Sequence, residues 1–165
     1  METTTISKQT ATVLSTSELL QHWQGQRNLT RKVINSFPEK EFFEFSIGGM
    51  RTPAQLIQEL LAIAVPGVRQ IVTRGTEELN EHIEFNNSKA TVLRLWDEAS
   101  AEINKYWSQI PEDTFSDEIL TFGQYPGTVC SSIFYFIENE IHHRGQLYVF
   151  LRVLGIEPPM FWDRS

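Results

Sequence analysis

The stretch Glu138-Asn139-Glu140-Ile141-His142-His143-Arg144-Gly145-Gln146 puts carboxylates, an amide, two imidazoles and a guanidinium inside the most apolar part of the chain, Val129 to Leu154. Polar groups on a buried face are costly unless they are hydrogen-bonded, ion-paired or bound to metal. On a helix with about 100° between residues, Asn139, Glu140 and His143 share the face of Val129, Ile133, Phe136, Leu147 and Leu151, whereas Glu138 and His142 point away. Asn139 and His143 stand one turn apart, a spacing at which two side chains reach a single ion. Two donors are too few, so a facing helix must supply more. Glu59 is suited to this. It shares a side of its own segment with Leu56 and Ile63, and its carboxylate is a ligand for divalent ions. A buried hydrogen-bond network serves the same residues, with His143 paired to Glu59 or Glu140 and no chemistry implied.

Four helical segments must position these groups. The first opens on a capping box, Ser15-x-x-Glu18, and runs to Pro38. The second opens on Thr52-Pro53-Ala54-Gln55 and continues to about Arg74, with a kink expected at Pro66 and a stop at Gly75. The third spans Ser88 to about Gln109, with Val92, Trp96, Ala99, Ile103, Tyr106 and Ile110 at i+3/i+4 spacing. The fourth starts near Pro126-Gly127 and ends at Leu154, with Gly155 just beyond as its left-handed stop. No strand alternation stands out. The expectation is an all-α four-helix bundle, residues 15–165, preceded by a flexible arm, residues 1–14. The connections at 38–51, 75–87 and 110–125 are long for an up-down bundle, so at least one crossover is expected.

Composition narrows the function classes. The 165 residues are 41% hydrophobic and 21% charged, with net charge −7 and a pI near 5.1. The longest basic cluster is Arg31-Lys32, too little for phosphate-backbone binding, so nucleic acid is not an expected partner. The single Cys130 excludes an intrachain disulfide and multi-cysteine zinc sites. No basic-then-apolar leader and no apolar run of membrane-spanning length stand out, so the chain is expected to be cytoplasmic with no membrane partner. The tail Met160-Phe161-Trp162 is apolar and is expected to dock on the bundle or on a second subunit.

The run His142-His143-Arg144-Gly145-Gln146, followed by Leu151-Arg152, Leu154-Gly155-Ile156 and Pro158-Pro159, resembles the signature of the DinB/YfiT-like family of bacterial four-helix bundles. The resemblance reaches back through Met50-Arg51-Thr52 and covers most of residues 16–160. It implies one divalent metal on three residues, and those positions fall on Glu59, Asn139 and His143, of which only one is an imidazole. Two oxygen donors in place of nitrogen shift preference from Zn and Ni toward Mn or Mg. Glu140 is then expected to orient a ligand of that site. The resemblance further implies a homodimeric, metal-dependent enzyme, a thiol-dependent transferase or isomerase acting on a small molecule with a low-molecular-weight thiol. It assigns no catalytic residue. The two replaced histidines motivate a second expectation, a degenerate dimeric bundle that binds a small ligand or a protein without metal.

Overall fold

The computed structural model describes residues 13–165; residues 1–12 of the expected arm lie outside them. Helix α1 spans Thr16–Ser36, α2 Glu39–Glu44, α3 Pro53–Thr73, α4 Lys89–Trp107 and α5 Val129–Val153. A short 3-10 turn, Glu112–Thr114, and a hairpin of β1 (Glu118–Thr121) and β2 (Tyr125–Thr128) lie between α4 and α5. The four long helices form the expected bundle. α1 packs on α4 and α5, and α3 packs on the same two, so α1 and α3 lie diagonally, as do α4 and α5. The two connections that cross the bundle are therefore 37–52, which carries α2, and 108–128, which carries the hairpin.

Local chemistry explains most of the helix starts. Ser15 accepts from the Glu18 backbone N–H while the Glu18 carboxylate takes the Ser15 N–H, and Thr52 and Gln55 do the same for α3. Ser88 caps α4. α5 begins later than Pro126-Gly127 suggests: Thr128 caps it through Ser131, because Pro126 and Gly127 belong to β2, opposite Leu120 and Ile119. At the end of α3 the left-handed residue is Arg74 (φ 54°), not Gly75. Gly155 does take the left-handed position after α5, with φ 75°. α3 runs through Pro66 without a break.

The hairpin is the element that the sequence does not announce. Its three-residue loop, Phe122-Gly123-Gln124, places Phe122 (φ 53°) and Gly123 (φ 68°) in left-handed conformations, which Asn, Asp or Gly adopt more readily than Phe. Tertiary contacts hold it instead. The Gln70 side chain accepts from the Phe122 N–H at 2.9 Å and donates to the Leu120 carbonyl at 3.0 Å, while Thr121 and Ser132 hydroxyls meet at 3.0 Å. The 75–87 loop is tied to α3 by the Arg69–Glu77 fork, with both contacts 2.7 Å, and by Gln58 donating to the Ile83 carbonyl.

α3 is long and apolar enough to cross a bilayer by length and composition, but here it is the most buried helix of the bundle. At Gly67 the helix makes room for the Phe136 ring of α5: an added Cβ would lie 2.4 Å from it. The tail does not bury its apolar residues: Phe161 is 63% and Trp162 66% exposed, while Asp163 and Arg164 tie back to Lys32 and Asn28 of α1. Gly67→Ala should overpack the α3–α5 seam and cost roughly 1–3 kcal/mol of stability. Urea denaturation checks this, and Phe136→Leu in the same chain should recover part of the loss.

Candidate functional site

The polar knot of α5 divides between two neighbouring helices. Asn139, Glu140, His143 and Arg144 are all buried, while Glu138 and His142 are exposed. One i, i+4 pair, Asn139 and His143, faces α3. The other, Glu140 and Arg144, faces α1.

On the α3 side the three expected site residues meet. Glu59 Oε1 accepts from Asn139 Nδ2 at 3.2 Å and from His143 Nε2 at 3.1 Å. A carboxylate only accepts, so Nε2 of His143 carries the proton in this contact. The other imidazole nitrogen, Nδ1, lies 3.1 Å from Gln146 Oε1, and the Gln146 amide nitrogen is 3.0 Å from Nε2 of exposed His142. Arg51, one residue before the α3 cap, forms an ion pair with Glu59 Oε2 and reaches Glu81 at 3.7 Å. Burial alone would raise the Glu59 carboxyl, but hydrogen bonds from His143 and Arg51 and their charges hold it below the ordinary glutamate value. Among the described residues no three His, Cys, Asp or Glu side chains come together as a metal-holding group.

On the α1 side Glu140 has partners that do not include Glu59 or His143. Its oxygens accept from Thr30 Oγ1 at 2.6 Å and from the Trp23 indole at 3.2 Å, and they lie 3.7 Å from Arg27 and 3.9 Å from Arg144. Arg27 stacks on the Trp96 ring at 3.9 Å and donates to Ser100 at 2.7 Å and to the Trp96 carbonyl at 3.2 Å. Arg144 donates to the Gln26 carbonyl and to Thr30. Burial pushes the Glu140 carboxyl up, against the pull of Arg27, Thr30 and Arg144. Burial likewise lowers Arg27, to about 10, against the pull of Glu140. Glu140, expected beside the α3 site, thus joins α1, α4 and α5.

A cleft of about 330 Å³ opens against Glu59. α3 contributes Glu59 and Ile63 to its wall, and the 75–87 loop contributes Leu79 and Glu81. The hairpin adds Phe122 and Tyr125, and α5 adds Ser132, Tyr135 and Phe136. Burial and the negative field of Glu59 and Glu81 push the Tyr135 phenol above its ordinary value. Sequence reasoning missed Arg51, Glu81 and the two tyrosines as site residues. Only Arg51 carried a signal, through its place in the Met50-Arg51-Thr52 segment; the others depend on a loop and a hairpin without local signatures.

This geometry defines a crossed four-helix bundle with a polar cluster at the inner end of a small-molecule-sized cleft. A family model described as the DinB family matches residues 7–164, and the chain belongs to that family. Among solved structures it is similar to a DinB-like protein from Bacillus cereus at 17% identity, covering 88% of this chain and 97% of that one with a TM-score of 0.73. A DinB-like protein from Bacillus subtilis is similar at 16% identity, covering 90% and 99%, with a TM-score of 0.71. A mycothiol-dependent maleylpyruvate isomerase is similar at 18% identity, covering 86% of this chain and 68% of that one, with a TM-score of 0.61. These likenesses are of fold. No curated protein matches the chain in sequence at a significant level.

Two outcomes follow from the site's electrostatics. Glu59 has a folded value below its unfolded one, near 4.5. Its stabilisation is therefore complete above that unfolded value and is lost as pH falls through the folded one. Glu59→Gln should flatten this acid limb, read from urea midpoints between about pH 6 and about pH 3. Glu140→Ala strands two buried guanidiniums and should cost roughly 3–5 kcal/mol at neutral pH by the same measurement.

Proposed function

We propose that this DinB-family chain is a small-molecule-binding protein whose cleft is organised by the chain Arg51–Glu59–His143 rather than by a three-ligand metal centre. The observation that carries this is the commitment of both Glu59 oxygens: Oε2 to Arg51, Oε1 to Asn139 and His143. The donor set suits a divalent ion poorly. One imidazole and one carboxylate remain from a three-residue set, and the amide of Asn139 turns its nitrogen toward Glu59. A guanidinium on the other carboxylate oxygen puts fixed positive charge next to where an ion would need to sit. Held ionised below its ordinary value, Glu59 is also a weak general base.

A second reading keeps the metal. Asn139 and His143 approach the same Glu59 oxygen, and with Arg51 swung away the three residues would hold Mn, Mg, Ni or Zn as a Lewis acid. The fold likeness to a mycothiol-dependent isomerase then suggests a low-molecular-weight thiol as co-substrate.

Elemental analysis of untagged protein separates the two. The first reading expects no stoichiometric Mn, Mg, Ni or Zn even after supplementation. It also expects Glu59→His with Asn139→His to create zinc affinity that the parent lacks. A parent that holds metal as tightly as the double variant would overturn it. Self-association belongs to the same proposal: α5 leaves Ile141, Val149 and Val153 exposed, and the tail leaves Phe161 and Trp162 exposed. Sedimentation velocity should show a dimer that Trp162→Ser weakens.

A further inference from the structure

We propose that the ligand of the cleft is a small organic cation, an amine or quaternary ammonium group on an apolar or aromatic body. This rests on the metal-free reading above and adds the ligand's chemical class.

The walls carry the argument. Two carboxylates, Glu59 and Glu81, approach the cleft from different elements, and no Lys, Arg or His among the described residues lines it. Between them the surface is apolar, from Ile63, Leu79, Phe122 and Phe136. Tyr125 and Tyr135 stand at the wall, each about half exposed, and are aromatic groups of the kind that attract cations. The volume, about 330 Å³, is at the lower end of the roughly 300–1,000 Å³ of ligand sites and far beyond what a bare ion fills.

The chain itself shows what this pair of carboxylates accepts. The Arg51 guanidinium bridges Glu59 and Glu81 while its side chain stays 41% exposed. It sits on the two carboxylates from outside the cleft wall, as an internal cation that an external one can replace. An incoming cation takes over the pairing of the largely buried Glu59, and the freed guanidinium, already 41% exposed, returns to water. Two carboxylates against one guanidinium leave a net negative charge beside the apolar walls, which repels an anionic ligand, gives a neutral one no gain and favours a cation. Tyr135, its phenol held in the protonated form by burial and the same carboxylates, adds a donor and acceptor at the rim.

The test is calorimetric titration of metal-analysed, untagged protein with phenethylamine and benzyltrimethylammonium, against the isosteres phenethyl alcohol and 3-phenylpropionate. Both cations should bind in preference to both isosteres. Glu81→Gln should weaken the cations about five- to tenfold, the scale of a partly screened charge-assisted contact. Arg51→Ala should tighten them by removing the internal competitor, and a gain in affinity cannot come from a damaged fold. Equal binding of the alcohol, preference for the carboxylate, or weaker cation binding in Arg51→Ala would each overturn the inference. Stoichiometric metal in the same preparation would sink the metal-free reading whatever the amines do. A metal-free protein that ignores the amines sinks only the cation assignment.

Discussion

The bundle turns on one buried carboxylate. Glu140 lies 2% exposed between Arg27 and Arg144 and accepts from Trp23 and Thr30. A carboxylate in that setting is tolerable only while its partners stay in place. It therefore fixes how α1 lies along α5, and the stacking of Arg27 on Trp96 extends the constraint to α4. Three of the four long helices are registered by this polar cluster. That register is what lets the next pair on α5, Asn139 and His143, face α3 at Glu59.

Dividing the polar residues of α5 between two helices also separates their roles. The α1 side is closed: its groups are almost fully buried and largely satisfied by each other. The α3 side is open at one end, because Glu59 borders the cleft and Arg51 comes to it from the loop before the helix cap. The same helical spacing, i and i+4, thus builds a structural cluster on one face and a candidate binding site on the next. Burial raises the Glu140 carboxyl while hydrogen bonds lower Glu59. Two carboxylates 81 positions apart in sequence are driven in opposite directions by what surrounds them.

Features set by neighbouring residues were legible in the sequence. The Ser15–Glu18 and Thr52–Gln55 capping boxes formed because they need only four residues of chain. Helical projection brought Asn139 and His143 to Glu59 because both helices are long and regular. It placed Glu140 on the same broad face but could not say which helix that residue meets, since a face of this width touches two neighbours. The hairpin was illegible for a different reason. Phe122-Gly123 adopts its turn because Gln70 holds the backbone from α3, and such a contact leaves no trace in local composition. Arg144 stands beside the exposed His142 in the sequence, yet its length lets it reach the Gln26 carbonyl inside the bundle. The tail is held to the bundle by Asp163 to Lys32 and Asn28 to Arg164, which leaves its apolar residues exposed on the single chain.

The contacts that register the bundle are separate from the Glu59 cluster. The register comes from Glu140, and the seam between α3 and α5 closes where Gly67 admits the Phe136 ring. What the inner end of the cleft needs is a partner for the Glu59 charge. Arg51 supplies it from one residue outside the α3 cap. A metal bound by three side chains would lock that end of the cleft. A guanidinium on a flexible stem would leave it exchangeable, since the Arg51 side chain is 41% exposed and returns readily to water. On the reading proposed above, the inner end of the cleft is a paired charge that trades one cation for another rather than a centre that polarises its ligand.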